Sequence, residues 1–241
     1  MSPFQGKTYW LIGASEGLGR EIAKGLALAG AHVIVSARSK SRLLELANDL
    51  EFATALPMDV TCPKSVMYTA QAVGPVDGVI YNAGVYEPMH TQDWDVKAAI
   101  SMLDVNFAGA LRVLHHIMPK LIADDKGDIT LVGSLAGYRG LPAAIGYGAS
   151  KAALISLAET MRHDLRNSGV TVRIVNPGFI KTRLTDKNSF VMPQLMKPEK
   201  AASHVLKAME RRRFRTDFPR PFSWLIKAMQ LLPDWVVYRG K

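Results

Sequence analysis

The chain alternates two hydrophobic patterns. Short apolar runs, several rich in β-branched residues, occur at TYWLIG (8–13), AHVIVSA (31–37), ATALPM (53–58) and VDGVIYN (76–82), then at DITLVGS (128–134) and VTVRIVN (170–176). Between the first four lie LGREIAKGLALAG, SRLLELANDL and PKSVMYTAQAV, in which apolar residues recur at helical spacing; longer helical patterns cover 106–123 and 147–168. Gly30 closes the first helix ahead of a strand, and Pro63 opens the third. Strands alternating with helices imply crossover connections and a parallel sheet buried on both faces. The pattern therefore predicts an α/β fold, a doubly wound parallel sheet in a three-layer α/β/α arrangement. No repeat, low-complexity segment or Pro/Ser/Gly linker divides it, so residues 1–241 read as one domain with an added C-terminal piece at 211–241.

Composition narrows the class. A length of 241 residues suits one large domain, and a hydrophobic content of 48% with a mean hydropathy of +0.05 suits a soluble protein with a sizeable core. The opening MSPFQGKTYW lacks the basic start and apolar stretch of a signal peptide, and Cys62 is the only cysteine, so a cytoplasmic location is expected. The net charge of +9 is uneven: residues 1–196 hold 19 Lys and Arg against 17 Asp and Glu, whereas residues 197–241 hold 11 against 4.

Two stretches carry candidate chemistry. The first strand runs into GASEGLG, where Gly13, Gly17 and Gly19 frame Ser15, Glu16 and Leu18. This spacing is neither G-x-G-x-x-G nor a GK[ST] phosphate loop, but it shares their physics: a tight turn, room for a pyrophosphate, and a helix N-terminus facing the anion. Any tight strand-to-helix turn uses glycines; this one follows the first strand of an alternating pattern, which favours Rossmann-type dinucleotide binding. The second strand ends in SARSKSR. Ala37 stands where an acid would accept from the ribose 2′-hydroxyl of NAD, and Arg38 can fork onto a 2′-phosphate, so NADP(H) is expected over NAD(H) unless this is only a solvated basic loop. In YGASK, Tyr147 and Lys151 lie one helical turn apart. A free Tyr titrates near 10, and a neighbouring ammonium would lower it toward use as a general acid/base.

With these motifs in order, the chain resembles the short-chain dehydrogenase/reductase family over roughly residues 6–185. The resemblance rests on GASEGLG, Asp59 in MDV, NAG (82–84), DVNFAG with Asn106, Ser134 in LVGSLAG, YGASK and PGFIKT (177–182). Two positions depart from the family pattern: Ile12 before the first glycine, where a small polar residue is usual, and Tyr81 in place of the first Asn of NNAG. By resemblance, Tyr147 donates the proton in carbonyl reduction, and Lys151 lowers its pKa and meets the nicotinamide ribose. Ser134 holds the substrate oxygen, and Asn106 positions a water that relays protons to Lys151. Asp59 and Val60 would meet the adenine. Asn82, Ala83, Gly84, Pro177 and Gly178 would line the cofactor, and Ile180 and Thr182 would meet the carboxamide. The activity implied is hydride transfer between a nicotinamide and a carbonyl or secondary alcohol, with no metal. A cofactor-binding redox sensor without turnover and a membrane-surface lipid-associated protein are the alternatives.

The segment 179–197 is expected to cover the substrate. Its Phe179, Leu184, Phe190, Val191, Met192, Leu195 and Met196, with Tyr86, Leu135, Tyr138, Leu141 and Ile145, suggest an apolar pocket, though half of them would serve equally as core. The helices at 106–123 and 147–168 carry more apolar residues than one buried face needs, which with the resemblance predicts a homodimer or homotetramer. The tail, ERRRFRTDFPR then PFSWLIKAMQLLPDWVVYR, is too short and broken to span a bilayer. It could close over the pocket, cover the helix stripe of a monomer, or lie on a membrane surface. No base-stacking surface accompanies its charge, so nucleic acid is not an expected partner.

Overall fold

The computed structural model describes residues 2–188, 190–211 and 213–238. Seven parallel strands form one sheet: β1 (Thr8–Ile12), β2 (His32–Ser36), β3 (Ala53–Ala55), β4 (Gly78–Tyr81), β5 (Gly127–Val132), β6 (Val170–Pro177) and β7 (Arg215–Phe218). Their order is β3-β2-β1-β4-β5-β6-β7, so successive strands leave β1 first to one side and then to the other. That reversal opens a crevice at the carboxyl ends of β1 and β4, the position where doubly wound sheets bind ligands. Nine helices flank the sheet among the described residues: α1 (Gly17–Leu28), α2 (Lys40–Asn48), α3 (Pro63–Val73), α4 (Val96–Leu103), α5 (Gly109–Ala123), α6 (Ile145–Asp164), α7 (Pro198–Glu210), α8 (Phe222–Leu231) and α9 (Asp234–Val237).

Both sheet faces are buried, which explains the continuous apolar runs. Tyr9 and Leu11 of β1 join Val33 and Val35 in a core layer completed by α1 and α7. Trp10 and Ile12 point the other way, with Val79, Tyr81, Val113 and Leu154 under α5 and α6. Each fully buried Leu, Ile or Val contributes about 1.5–3 kcal/mol. The Trp10 indole N–H, inside that core, donates to Ser36 Oγ at 2.9 Å, so its burial leaves no orphaned donor.

The structure adds to the elements predicted and corrects the stripe. β7, α4 and α7 are additional, and α4 runs into α5 through a π turn at Asp104–Ala108. The apolar residues counted as surplus are mostly core: Val113, Leu114, Ile117, Leu121, Leu154 and Ile155 are buried. Leu111 is exposed, and Phe107, Met118, Leu157 and Met161 are half-buried. Only the start of the tail reaches α6, where Phe214 packs beneath Arg162 and Arg215 pairs with Glu159; the described residues of α8 and α9 are held elsewhere. Gln230 of α8 donates to the Tyr138 carbonyl at 2.8 Å, and Arg139 donates to the Met229 carbonyl at 3.0 Å and pairs with Asp234. The tail therefore packs at the carboxyl edge of β5 to β7, beside the crevice.

Candidate active site

A cleft of about 570 Å³ runs along the carboxyl ends of the central strands. Its floor is the β1–α1 turn. Gly13 has φ +87, and a Cβ on Gly19 would come within 2.0 Å of the Gly13 carbonyl, so the turn closes this tightly only with glycine at both places. Glu16 caps α1 without a side-chain hydrogen bond, which leaves the first-turn N–H groups uncapped by it and suited to an anion. Asn82 Nδ2 donates to the Gly13 carbonyl at 2.8 Å and ties the β4 loop to the turn.

At one end the cleft is lined by Ala37, Arg38, Asp59 and Val60. Arg38 is exposed and makes no carboxylate ion pair among the described residues. Burial pushes the Asp59 carboxyl up, but hydrogen bonds from the Thr61 N–H and hydroxyl, with the Arg38 charge, outweigh it and hold the group below its ordinary value. Arg42, in the first turn of α2, also lines the cleft and pairs with Glu16; Arg183 pairs with the same carboxylate at 2.7 Å. Sequence reading missed both arginines; Arg38 precedes the helix, so no helical spacing ties it to Arg42.

Tyr147 and Lys151 line the other end, on the inward side of α6. Lys151 is only 4% exposed, and its Nζ donates to the Val132 carbonyl at 2.9 Å. Burial alone pulls its pKa down to about 8. Tyr147 keeps part of its surface open to the cleft, yet protein surrounds the phenol closely. Burial pushes its pKa up, and the nearby Ser134 hydroxyl acts in the opposite direction. The expectation of a phenol lowered by Lys151 is therefore corrected: Nζ lies 5.7 Å from the ring centroid, and desolvation dominates both groups.

Ser134 sits at the end of β5, where its Oγ accepts from the Ala136 N–H at 3.1 Å; that leaves its proton to donate. Asn106 lies in the π turn, fully buried behind the cleft. Its Oδ1 accepts from the Val85 N–H at 2.7 Å, and its Nδ2 donates to the Val85 carbonyl at 3.0 Å and to Ser150 Oγ at 2.9 Å. These bonds make the side chain a brace between the β4 loop and α6. A Cβ on Gly84 would lie 3.5 Å from Asn106 Oδ1 and 3.7 Å from Lys151 Nζ, which shows how closely the three groups converge.

Segment 179–197 forms a strap over the cleft. Its ends are zipped by Lys181 N–H to the Met196 carbonyl at 2.8 Å and Met196 N–H to the Phe179 carbonyl at 2.9 Å. Its middle crosses to the β4 loop, where Tyr86 Oη donates to Asn188 Oδ1 at 2.9 Å and Lys187 pairs with Glu87. Tyr86 packs edge-on against Tyr147, with ring centroids 5.0 Å apart.

Of the predicted cofactor residues, Gly13, Ser15, Glu16, Gly17, Leu18, Arg38, Asp59, Val60, Asn82, Ala83, Gly84, Pro177, Ile180 and Thr182 line the cleft with Tyr147 and Lys151. Gly19 and Gly178 do not line it. Of the predicted substrate residues, Tyr86 and Leu184 line it, while Leu135, Leu141 and Phe179 do not. Leu135 is core, and Phe179 packs instead edge-on against Phe190 and at a tilt against Phe222. Val191 is 92% exposed and Met196 is buried, so the expected apolar pocket is divided between surface and core.

A dinucleotide fits this cradle: the cleft is of cofactor size, bears a glycine turn and uncapped amides at its centre, and has an exposed guanidinium at one end and the phenol and amine at the other. Comparison with known proteins agrees. An uncharacterized oxidoreductase of Myxococcus xanthus is 33% identical, over 97% of this chain and 96% of its own length. The ketoacyl reductase HetN of Nostoc is 32% identical, over 87% and 77% respectively. A short chain dehydrogenase from Burkholderia cenocepacia, solved in complex with NADP, superposes with a TM-score of 0.86 at 26% identity, covering 97% of this chain and 96% of that one. The family model for short chain dehydrogenases matches residues 7–190, the span that builds the glycine turn, the brace, the Tyr147–Lys151 pair and most of the strap, and the chain belongs to that family.

Proposed function

We propose that the chain is an NADP(H)-dependent oxidoreductase that reduces an apolar ketone or aldehyde, or oxidises the corresponding secondary alcohol, with Tyr147 as general acid/base. The observation that carries this reading is the Tyr147 phenol with Ser134 near it and the buried Lys151 one helical turn away, at the end of a cleft that begins in a glycine turn. The nicotinamide, when bound, supplies or accepts the hydride. The protein supplies the proton and the orientation. A carbonyl oxygen that develops negative charge meets the Tyr147 O–H as proton donor and the Ser134 hydroxyl as a second donor. The raised phenol pKa keeps Tyr147 protonated at neutral pH, as reduction requires. Lys151 titrates near 8 and exchanges protons close to neutrality, and the Asn106 brace holds the β4 loop and α6 in register around it.

Preference for NADP(H) is supported by Arg38 beside Ala37 and by the NADP held by the Burkholderia relative. Residues 1–241 act as one domain in the cytoplasm, with 179–197 as the substrate cover, 211–241 as an extension of it, and α5 and α6 pairing in a homodimer or homotetramer. A screen of ketones, aldehydes and alcohols with NADPH and NADH, followed at the nicotinamide absorbance, tests the activity. Tyr147→Phe is expected to lose roughly 10²–10⁴ in turnover while binding cofactor normally. A Tyr147→Phe enzyme that keeps the wild-type rate on a true substrate overturns the assignment.

A further inference from the structure

We propose that the outward face of α8 docks on an anionic lipid bilayer and holds the substrate end of the cleft against it. The helix is apolar on both faces. Toward the protein it buries Ile226 and Ser223, and its two longer polar side chains are tied back to the protein, Lys227 by Asp217 and Gln230 by the Tyr138 carbonyl. Its solvent face is apolar. Trp224, Leu225, Ala228 and Leu231 follow one another at helical spacing and are all exposed, Leu231 at 87%, and Leu232 and Trp235 extend the stripe beyond the helix end. A soluble helix left in water does the opposite, so this face has an apolar partner.

Charge selects the partner. The chain as a whole carries a net charge of +9, and the exposed Arg220 stands at the start of the stripe. A second copy of so basic a chain is repelled at long range, whereas anionic headgroups attract it. Two of the chain's tryptophans lie on the stripe, the residue type that prefers the headgroup boundary, and Arg220 stands over the Trp224 ring at 5.4 Å. No helix among the described residues is long and apolar enough to cross a membrane, so α8 lies in the interface plane.

The inner face of the same helix packs on the strap that covers the cleft. Phe222 packs on Phe179 with centroids 5.8 Å apart, and Phe190 of the strap packs on that ring at 5.7 Å. Phe190 and Val191 are themselves exposed, so strap and helix present apolar surface on both sides of the Phe179 cluster. Docking there would bring a membrane-partitioned carbonyl or alcohol to the cleft from the lipid side. This substrate class rests on the reductase reading above; the docking does not.

The test is sedimentation of the full chain with phosphatidylcholine vesicles, with and without phosphatidylglycerol, at low and high salt. Binding is expected to the phosphatidylglycerol vesicles, weakened by salt, and far less to phosphatidylcholine alone. The triple variant Trp224→Ser, Leu225→Ser, Leu231→Ser alters only exposed side chains. It is expected to lose about tenfold or more in partitioning while keeping its mass by light scattering and its rate on a water-soluble carbonyl. Absence of wild-type binding to phosphatidylglycerol vesicles, or equal binding by the triple variant, overturns the proposal. A triple variant that halves the particle mass in solution overturns it in favour of a second copy. Vesicle binding with no turnover on any carbonyl supports docking and defeats the reductase reading instead.

Discussion

Replacing Gly109 by Ala tests how the π turn is held. Gly109 opens α5 directly after that turn, and a Cβ there would lie 2.4 Å from Tyr81 Oη and 2.9 Å from Val60 Cβ. The Tyr81 hydroxyl is not idle: buried, it donates to the Val105 carbonyl inside the turn. Alanine gains about 1 kcal/mol in helix propensity. Against that stand about 1–3 kcal/mol for overpacking and about 1–3 kcal/mol for a buried carbonyl deprived of its donor. Gly109→Ala should therefore destabilise by about 1–5 kcal/mol, and Tyr81→Phe, which loses only the hydrogen bond, by about 1–3 kcal/mol. In the double variant the offending oxygen is gone and the lost bond is counted once, so the pair should cost about 1–3 kcal/mol less than the sum. Val60 still crowds the new methyl, so the double stays below wild type. Urea unfolding at one fixed protein concentration measures this, because an oligomer's midpoint moves with concentration. Costs that add to within about 0.5 kcal/mol would refute the coupling of Tyr81 to the turn.

Other outcomes follow from the same geometry. Lys151 is depressed to about 8 in the folded chain, so the folded state binds fewer protons than the unfolded one between about pH 8 and 10.4, and its contribution to stability rises with pH across that window. Lys151→Met should accordingly be more stable than wild type at pH 7, by at most about 3 kcal/mol less about 1–2 for the orphaned Val132 carbonyl, with the gain fading above pH 8; melting curves across pH check it, and a pH-independent difference counts against the burial argument. Arg38→Ala should narrow the affinity gap between NADPH and NADH by weakening NADPH, as calorimetry would read; equal wild-type affinities would remove Arg38 as the phosphate reader. Light scattering at micromolar concentration should give a multiple of 26.4 kDa, and a clean 26.4 kDa species would refute the α5/α6 assembly.

What the sequence displayed depended on how each element meets its surroundings. β1, β2, β4, β5 and β6 were readable because strands covered on both faces need side chains that are apolar without alternation. The glycine turn, Tyr147, Lys151 and Ser134 were readable as ordered motifs. α4 and its π turn were not, because Asn106 owes its place to one extra residue in a helix, which leaves no mark on a hydrophobic period. The direction of the Tyr147 shift was misjudged because charge proximity can be read from spacing, whereas desolvation depends on everything packed around the ring. Tyr81, met as a departure from the family pattern, proves to be the donor that satisfies that turn.

β7 escaped notice because its four residues, Arg215 to Phe218, carry two charges within a basic run. It is the last strand of the sheet, and β3, the first, has only three residues. A sheet border offers unsatisfied amides and carbonyls to any other extended chain, and long apolar borders seed aggregation. Here the apolar β6 is screened by a strand bearing Arg215 and Asp217, tied by ion pairs to Glu159 and Lys227, and the opposite border is too short to template much. The polarity that disguised β7 thus makes it a gatekeeper. Truncating the chain before residue 215 would leave β6 as a bare apolar border and should make the protein prone to self-association.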